Sequence, residues 1–321
     1  RHPPMQQQAT IYPPTQQPLI LPLPKQRLTM QQSQTPSGAK RDDTMAIQLT
    51  LRDLQILETI GTARYMVTPQ IQALFWGESP VGKFGLQKAC ERRMRLLHKA
   101  GFVRRIEQPV KRGEGTKPYI YALDKKGAAL LISELGIEAS ELDWQPKSQE
   151  ENYPFLAHLL ATTDLRITFQ KACKHAGLEL VMWLDEKILR TEGMNDQVML
   201  SGPHGEQLAT AVIPDAVVML AHGGRRGLFF IEIDMGTVTV EPRLWQRKGW
   251  TKKVQAYCAY VNTELYTNRY EDRPARILTI TTGEKRLENL KVVTEKADGG
   301  SMFWFTTFAQ VLDPAQLLTQ S

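Results

Sequence analysis

The sequence predicts an α/β (α+β) protein in which two folded domains share 321 residues. The N-terminal half carries helical periodicities followed by a basic hairpin, and the C-terminal half carries strand-like apolar runs alternating with helices. An apolar content of 42% supports a sizeable core, and no apolar run approaches the length of a membrane-spanning helix. Together these observations favour a mixed fold with no membrane partner.

Composition divides the chain into a tail, two domains and a linker. Residues 1–46 are rich in Pro and Gln and lack sustained periodicity, which predicts a disordered tail. Residues 47–136 form the first predicted domain, and residues 155–321 form the second. Between them, residues 137–154 are polar and acidic and contain two prolines, which is typical of a linker.

The first predicted domain consists of three helices, a hairpin and a fourth helix. Thr68-Pro69 suits the start of the second helix because Thr can cap a helix and Pro fits its first turn. The expected elements are residues 51–60, 68–75, 84–98, 102–107, 118–123 and 125–135. This is the order of a winged helix-turn-helix, whose third helix enters the DNA major groove while the wing touches the backbone.

Positive charge is concentrated in this domain. Residues 48–136 carry fifteen Lys or Arg against eight Asp or Glu, whereas residues 137–321 carry twenty against twenty-four. The asymmetry indicates contact with a polyanion, and double-stranded DNA is the expected partner. The alternatives are an ordinary solvated helix face or a protein contact. The cations expected to contact DNA are Lys88, Arg92, Arg93, Arg95 and Lys99 of the third helix, and Arg104, Arg105, Lys111, Arg112 and Lys117 of the wing.

The second predicted domain alternates helices and strands. It begins with a long amphipathic helix and a strand, continues with an acidic hairpin and a helix around Lys253, and closes with two more strands separated by a helix. The elements outside the hairpin are expected at residues 155–176, 178–184, 250–260, 276–282, 284–294 and 301–307, and residues 310–318 trail the last strand.

The hairpin carries three carboxylates. Ile213-Pro214-Asp215-Ala216 lies in one apolar run and Glu232-Ile233-Asp234 in the next, with a Gly-rich turn between them. A turn centred on Gly224 would place Asp215 opposite Asp234 and Glu232 opposite Val217, with all three carboxylates on one face. The other face is then the expected core side, with Val218, Leu220, Phe229, Ile231 and Ile233.

Three carboxylates on one strand face repel one another unless a cation neutralises them. Mg²⁺ or Mn²⁺ prefers such oxygen ligands, so Asp215, Glu232 and Asp234 are predicted to hold one of these ions, with Glu186 as an optional further ligand. The alternative is that these acidic residues merely flank strands.

This pattern resembles the PD-(D/E)XK nuclease superfamily, to which the α-β-β-β-α-β order also corresponds. Pro214-Asp215 and Glu232 match the acidic part of that motif, whereas Asp234 stands where the motif has lysine. Some members carry the lysine on the following helix, and Lys253 fits that position. The resemblance implies that Asp215, Glu232, Asp234 and Lys253 are catalytic.

A closer resemblance covers roughly residues 48–262 and is strongest at Glu232-Ile233-Asp234-Met235-Gly236-Thr237. A winged helix followed by this segment, Lys253 and Tyr257 is similar to the replication-relaxation family of plasmids and mobile elements. The resemblance implies a role in DNA replication or relaxation, as a Mg²⁺-dependent endonuclease or nickase recruited by the winged helix. The alternative is a non-catalytic replication initiator or transcriptional regulator whose nuclease-like domain is a docking module.

Cysteine usage and the absence of a secretory signal pattern favour the cytoplasm. The chain has three widely separated cysteines, with neither disulfide-framework nor metal-ligand spacing. Further expected partners are other replication or mobilisation proteins. The sequence leaves the oligomeric state open, with a dimer as one option.

Overall fold

The computed structural model describes residues 47–77, 83–110, 113, 115–137, 142, 153–242, 247–271 and 273–312. These residues form two compact units, one ending at Ile167 and the other beginning at Thr168. The predicted tail, most of the predicted linker, and Lys111 and Arg112 of the predicted wing lie outside the described residues. The domain boundaries proposed from composition stay predictions.

The N-terminal unit is built from helices and one small sheet. Its helices are α1 (Leu51–Ala63), α2 (Thr68–Phe75), α3 (Lys83–Lys99), α4 (Lys125–Leu135) and the first part of α5 (Tyr153–Ala176). Its strands are β1 (Met66–Val67), β2 (Val103–Ile106) and β3 (Ile120–Leu123), in the antiparallel order β1-β3-β2. Three helices followed by the β2–β3 hairpin are the order of elements that the sequence predicted, and the winged helix itself stays a prediction. Strand β1 is a short strand that the sequence did not reveal.

Local sequence explains where these helices begin. Thr50 and Asp53 form a capping box at α1, with Thr50 N–H donating to Asp53 at 2.6 Å. At α2 the expected Thr68 cap is wrong: the cap residue is Val67, whose N–H donates to the Gln70 side chain at 3.0 Å. Pro69 does lie in the first turn, as predicted.

The C-terminal unit contains a mixed five-stranded sheet, a separate two-stranded sheet and several helices. Its strands are β4 (Glu179–Asp185), β5 (Gln197–Ser201), β6 (Gln207–Ala211), β7 (Ala216–His222), β8 (Arg225–Asp234), β9 (Ala275–Thr281) and β10 (Phe303–Thr307). Besides the end of α5, its helices are α6 (Glu186–Thr191), α7 (Trp250–Tyr260), α8 (Glu264–Tyr270), α9 (Glu284–Lys296) and α10 (Phe308–Val311), with a 3₁₀ turn at Gly300–Met302. The hairpin β5–β6 forms a separate small sheet.

The large sheet has the order β10-β9-β8-β7-β4. Strands β4, β7 and β8 are antiparallel neighbours, and β9 and β10 continue parallel to β8. A three-stranded meander, a crossover helix and a parallel strand are the core order that the sequence predicted. The predicted α/β fold class is therefore confirmed.

Helices cover both faces of the central strands, so the predicted core side is largely buried, and the carboxylate face, which was not expected to be a core side, is buried as well. Val217, Met219, Leu228 and Phe230, on the same face as the carboxylates, belong to the main core with residues of α7, α8 and α9. On the other face, Trp183 packs edge-to-face against Phe169 of α5. A sheet with parallel strands is normally covered on both faces, which explains why neither face is simply polar.

The β7–β8 hairpin has a different register from the predicted one. His222 pairs with Arg225 across a two-residue turn, Gly223-Gly224, in which both glycines have positive φ. Continuing this register places Asp215 beside Glu232 rather than Asp234. Because the shift is two residues, the side chains keep their predicted faces.

None of the helices in the described part of the chain has the length and apolarity that a bilayer crossing demands.

Candidate active site and nucleic-acid interface

Asp215 lies at the point where β7 begins, between β4 and β8. Pro214 has no N–H to continue the ladder, and β7 starts only at Ala216. The Asp215 N–H donates to Ile231 O at 3.0 Å, and Glu186 N–H donates to Asp215 O at 3.1 Å. Its carboxylate accepts from Ile233 N–H at 2.6 Å. Backbone contacts therefore fix both the main chain and the carboxylate of Asp215.

Glu232 is the buried centre of the site, with 1% of its surface exposed. Its Oε1 accepts a hydrogen bond from the Tyr257 hydroxyl at 2.6 Å, and its Oε2 contacts Lys253 Nζ. Lys253 and Tyr257 are four residues apart on α7, so they project from the same helix face. The side chain of Lys253 remains 41% exposed and connects the buried carboxylate to solvent.

Burial and charge shape the protonation of this cluster. Burial raises the pKa of Glu232 to about 7; Lys253 opposes the rise, and Asp215 adds to it. Burial lowers the pKa of Lys253, but attraction to Glu232 and Asp215 outweighs it and holds that pKa above its ordinary value. Burial and Glu232 raise the pKa of Tyr257, so its hydroxyl remains a donor at neutral pH.

Glu186 lies at the edge of the same cluster. It is the first residue of α6, and its carboxylate accepts from Arg190 one turn later at 2.6 Å. Its negative charge is among those that raise the pKa of Lys253. Four of the predicted site residues are therefore brought together: Glu186, Asp215, Glu232 and Lys253.

Asp234 is held in a different set of contacts. Arg286 of α9 binds both of its carboxylate oxygens at 2.8 Å, and the Thr281 hydroxyl donates to it at 2.7 Å. Although burial opposes it, these donors hold the pKa of Asp234 below its ordinary value. Arg286 also donates to Val238 O at 2.6 Å. The structure thus pairs Asp234 with a cation instead of placing it with Asp215 and Glu232.

The donor atoms present suit an ion held by two carboxylates, not by three. Among the described residues, no group of three His, Cys, Asp or Glu side chains is arranged to hold a metal. Mg²⁺ commonly takes one or two carboxylates from a protein and completes its shell with water and substrate phosphate. Thr279, fully buried and paired with Glu232 across β8–β9, has a hydroxyl with no hydrogen-bond partner in the described part of the chain. Asp215, Glu232 and the Thr279 hydroxyl are the oxygen atoms that such an ion would bind, and Lys253 and Tyr257 already contact the two Glu232 oxygens.

The DNA-facing cations predicted on α3 divide into two groups. Lys88, Arg92, Arg95 and Lys99 are exposed and spaced at i, i+4, i+7 and i+11, which places them along one helix face. We call these four residues the α3 stripe. Arg93 points elsewhere: its Nε donates to the fully buried Asp53 at 2.7 Å, and its Nη2 donates to Gln48 O at 2.9 Å.

The wing cations divide in the same way. Arg105 stacks over the Tyr119 ring, 4.0 Å from its centroid, and lies with Arg95 and Lys117 along a cavity between α3 and the wing. Arg104, one residue earlier, lies on the opposite face of β2 and contacts the Tyr65 hydroxyl at 3.4 Å. Arg93 and Arg104 were predicted to contact DNA, but both side chains point away from the α3 stripe.

Comparison with known proteins places this architecture in a family. The replication-relaxation family model matches residues 57–275, which includes most of the N-terminal unit, the β7–β8 hairpin and α7. The chain belongs to the replication-relaxation family. No curated protein matches the chain. A solved structure of restriction endonuclease FokI bound to DNA is similar at 14% identity and a TM-score of 0.25. That match covers 81% of this chain, which spans 43% of the FokI chain.

Two features of this replication-relaxation protein were missed from its sequence. Tyr257 was noted as part of the family resemblance, with no catalytic role assigned, yet its hydroxyl bonds directly to Glu232; its place four residues after Lys253 was the available signal. Arg286 was not singled out because 52 residues separate it from Asp234, and no local pattern links them.

Proposed function

We propose that this replication-relaxation protein is a Mg²⁺- or Mn²⁺-dependent DNA endonuclease or nickase, which its winged helix brings to double-stranded DNA. The observation that carries the proposal is the contact of Lys253 with Glu232 beside Asp215. Two carboxylates and one lysine at the end of an antiparallel hairpin are the group that the nuclease resemblance implies. The lysine comes from α7 instead of from residue 234.

Each side chain has a role in this proposal. Asp215 and Glu232 hold the ion, with Glu186 as the further carboxylate at the edge. Lys253 stabilises negative charge that develops on a phosphodiester as it is cleaved, because its ammonium is fixed by Glu232 and still 41% exposed. Tyr257 orients the Glu232 carboxylate. A bound Mg²⁺ or Mn²⁺ would supply Lewis acidity at the phosphate.

DNA reaches the site through the winged helix in this proposal. The α3 stripe presents four cations to the major groove, and Arg105 and Lys117 of the wing extend the positive surface. Arg93 and Arg104 support the winged helix from inside, through Asp53 and Tyr65.

A second function has one observation in its favour. Asp234 stands where the nuclease motif has lysine, and its pairing with Arg286 makes this position structural. A non-catalytic replication initiator or regulator would use the C-terminal unit as a docking module, with Glu232 satisfied by Lys253 and Tyr257.

Relaxation of supercoiled plasmid in Mg²⁺ or Mn²⁺ separates the two functions. The wild type should nick or cut DNA, and Lys253→Met should lower the rate by about a hundredfold or more. Glu288→Gln, which alters an exposed carboxylate on α9, is the control and should be unchanged. Absence of cleavage by a wild type that binds both metal and DNA would favour the docking module.

A further inference from the structure

A cavity of about 480 Å³ lies between the second and third helices and the wing of the N-terminal unit. Its walls come from α2, α3, the two strands of the wing and the residues that precede β3, and Arg95 belongs both to this lining and to the α3 stripe. A single phosphate group is far smaller than this space, whereas pockets for small organic ligands have volumes of about 300–1,000 Å³. The cavity therefore suits a ligand of nucleotide size.

The lining supplies the chemistry that a nucleotide requires. Arg95 and Lys117 bring positive charge to the cavity, and Arg95 has no partner within the described residues. Tyr119 is 38% exposed and is stacked on one side by Arg105 at 4.0 Å, which forms a planar surface of aromatic ring and guanidinium. Bases stack on such surfaces whatever their sequence.

Polar side chains lie on the helical wall. Gln87 Nε2 donates to Glu91 Oε1 at 2.8 Å, which leaves the second carboxylate oxygen of Glu91 and the amide oxygen of Gln87 as acceptors. Acceptors of this kind pair with the exocyclic amino group of adenine or cytosine. The Glu91 charge repels phosphate, so the phosphate belongs at the end with Arg95 and Lys117.

We infer that this cavity binds one nucleoside monophosphate unit, with its phosphate on Arg95 and Lys117 and its base against Tyr119. The unit has two possible sources, an unpaired nucleotide within the DNA that the winged helix binds, or a free nucleotide. The first source rests on the proposed function. An unpaired nucleotide enters more readily than a paired one because it has no base pair to break.

Fluorescence anisotropy with labelled duplexes tests the first source. The full chain is titrated into a fully paired duplex and into the same duplex with one bulged adenosine, and the wild type should bind the bulged duplex about tenfold more tightly. Tyr119→Ala should abolish the preference, and Tyr119→Phe should retain it because the ring remains. Lys99→Ala, which removes a cation of the α3 stripe outside the cavity, should weaken both duplexes equally.

Calorimetry with deoxyadenosine monophosphate tests the second source. If the wild type binds the mononucleotide, Tyr119→Ala does not, and the wild type shows no preference for the bulged duplex, the cavity is a site for a free nucleotide. Equal affinity for the two duplexes with no mononucleotide binding would overturn the inference, as would preferences that survive in Tyr119→Ala. If the wild type binds neither duplex, the proposed function is contradicted instead. The calorimetric result would then still show whether the cavity binds a nucleotide.

Discussion

The Tyr257 hydroxyl donates to Glu232 Oε1 at 2.6 Å, and both groups are almost fully buried. A hydrogen bond to a charged group contributes about 1.5–3 kcal/mol, so Tyr257→Phe should lower the free energy of unfolding by about that amount. Denaturant unfolding at pH 8 measures the loss. Tyr270→Phe is the matched control, because Tyr270 lies in the same aromatic cluster and its hydroxyl has no hydrogen-bond partner among the described residues. A similar loss in both variants would show that the bond itself contributes little.

The pKa of Glu232 gives stability a specific pH dependence. Burial raises this pKa from 4.5 to about 7, so between these values the folded chain keeps a proton that the unfolded chain releases. Stability therefore falls as pH rises from 4.5 to 7, by up to about 3 kcal/mol from this group. The raised pKa of Lys253 does not alter this window, since its contribution is lost only at alkaline pH.

Comparison with Glu232→Gln isolates the effect. Urea titration without metal measures the free energy of unfolding of both proteins. As pH rises from 4.5 to 7, the wild type should lose stability relative to Glu232→Gln, which has no carboxyl group to titrate at this position. Parallel pH profiles would mean that Glu232 keeps an ordinary pKa in the folded chain.

The α3 stripe makes a prediction about salt dependence. Arg92→Ala combined with Arg95→Ala should weaken duplex binding and reduce the slope of log affinity against log salt by about two units, one for each lost phosphate contact. An unchanged slope in the double variant would exclude this helix face as the DNA surface.

Arg93 provides the contrast to that pair. Its guanidinium neutralises Asp53, whose side chain has no exposed surface. Arg93→Ala should cost about 3 kcal/mol of stability because it leaves a buried carboxylate uncompensated, and it should leave the salt slope of DNA binding unchanged. Thermal unfolding and the same anisotropy titrations measure the two effects. A lowered salt slope with unchanged stability would return Arg93 to the DNA surface.

Asp234 is predicted to stabilise the fold without binding metal. Asp234→Asn removes the charge that Arg286 neutralises, and the variant should be less stable while still binding Mn²⁺. Isothermal titration with Mn²⁺ and thermal unfolding are the measurements. Loss of metal binding in a variant that unfolds like the wild type would make Asp234 a ligand after all.

Much of the architecture was predictable because its signals are local. Apolar periodicity located α1, α3, α4 and α9, and the two apolar runs around a Gly-rich turn located the hairpin. Lys253 was identified because the helix after the hairpin was known to be a place where the superfamily lysine occurs. The even period of a strand kept Asp215 and Glu232 on one face although the register was displaced by two residues.

The remaining features depend on contacts between distant segments. The pairing of Arg286 with Asp234 and of Arg93 with Asp53 joins residues 52 and 40 positions apart, and charge alone does not reveal which cation is committed to a buried partner. Strand β1 has only two residues, Met66 and Val67, too few for a period to be visible. Arg104 and Arg105 were grouped by their charge alone, although adjacent strand residues face opposite ways and the alternation could have separated them.

In the proposed function, Asp215 and Glu232 hold one divalent ion beside Lys253. Calorimetric titration of Mn²⁺ into the metal-free protein tests it most directly, with Asp215→Asn as the variant and Glu288→Gln as the matched control. Asp215→Asn deletes a charge at nearly constant volume, so the fold should persist while metal binding is lost. We predict saturable binding of one ion by the wild type and by Glu288→Gln, and none by Asp215→Asn. Equal binding by the wild type and Asp215→Asn would contradict the site.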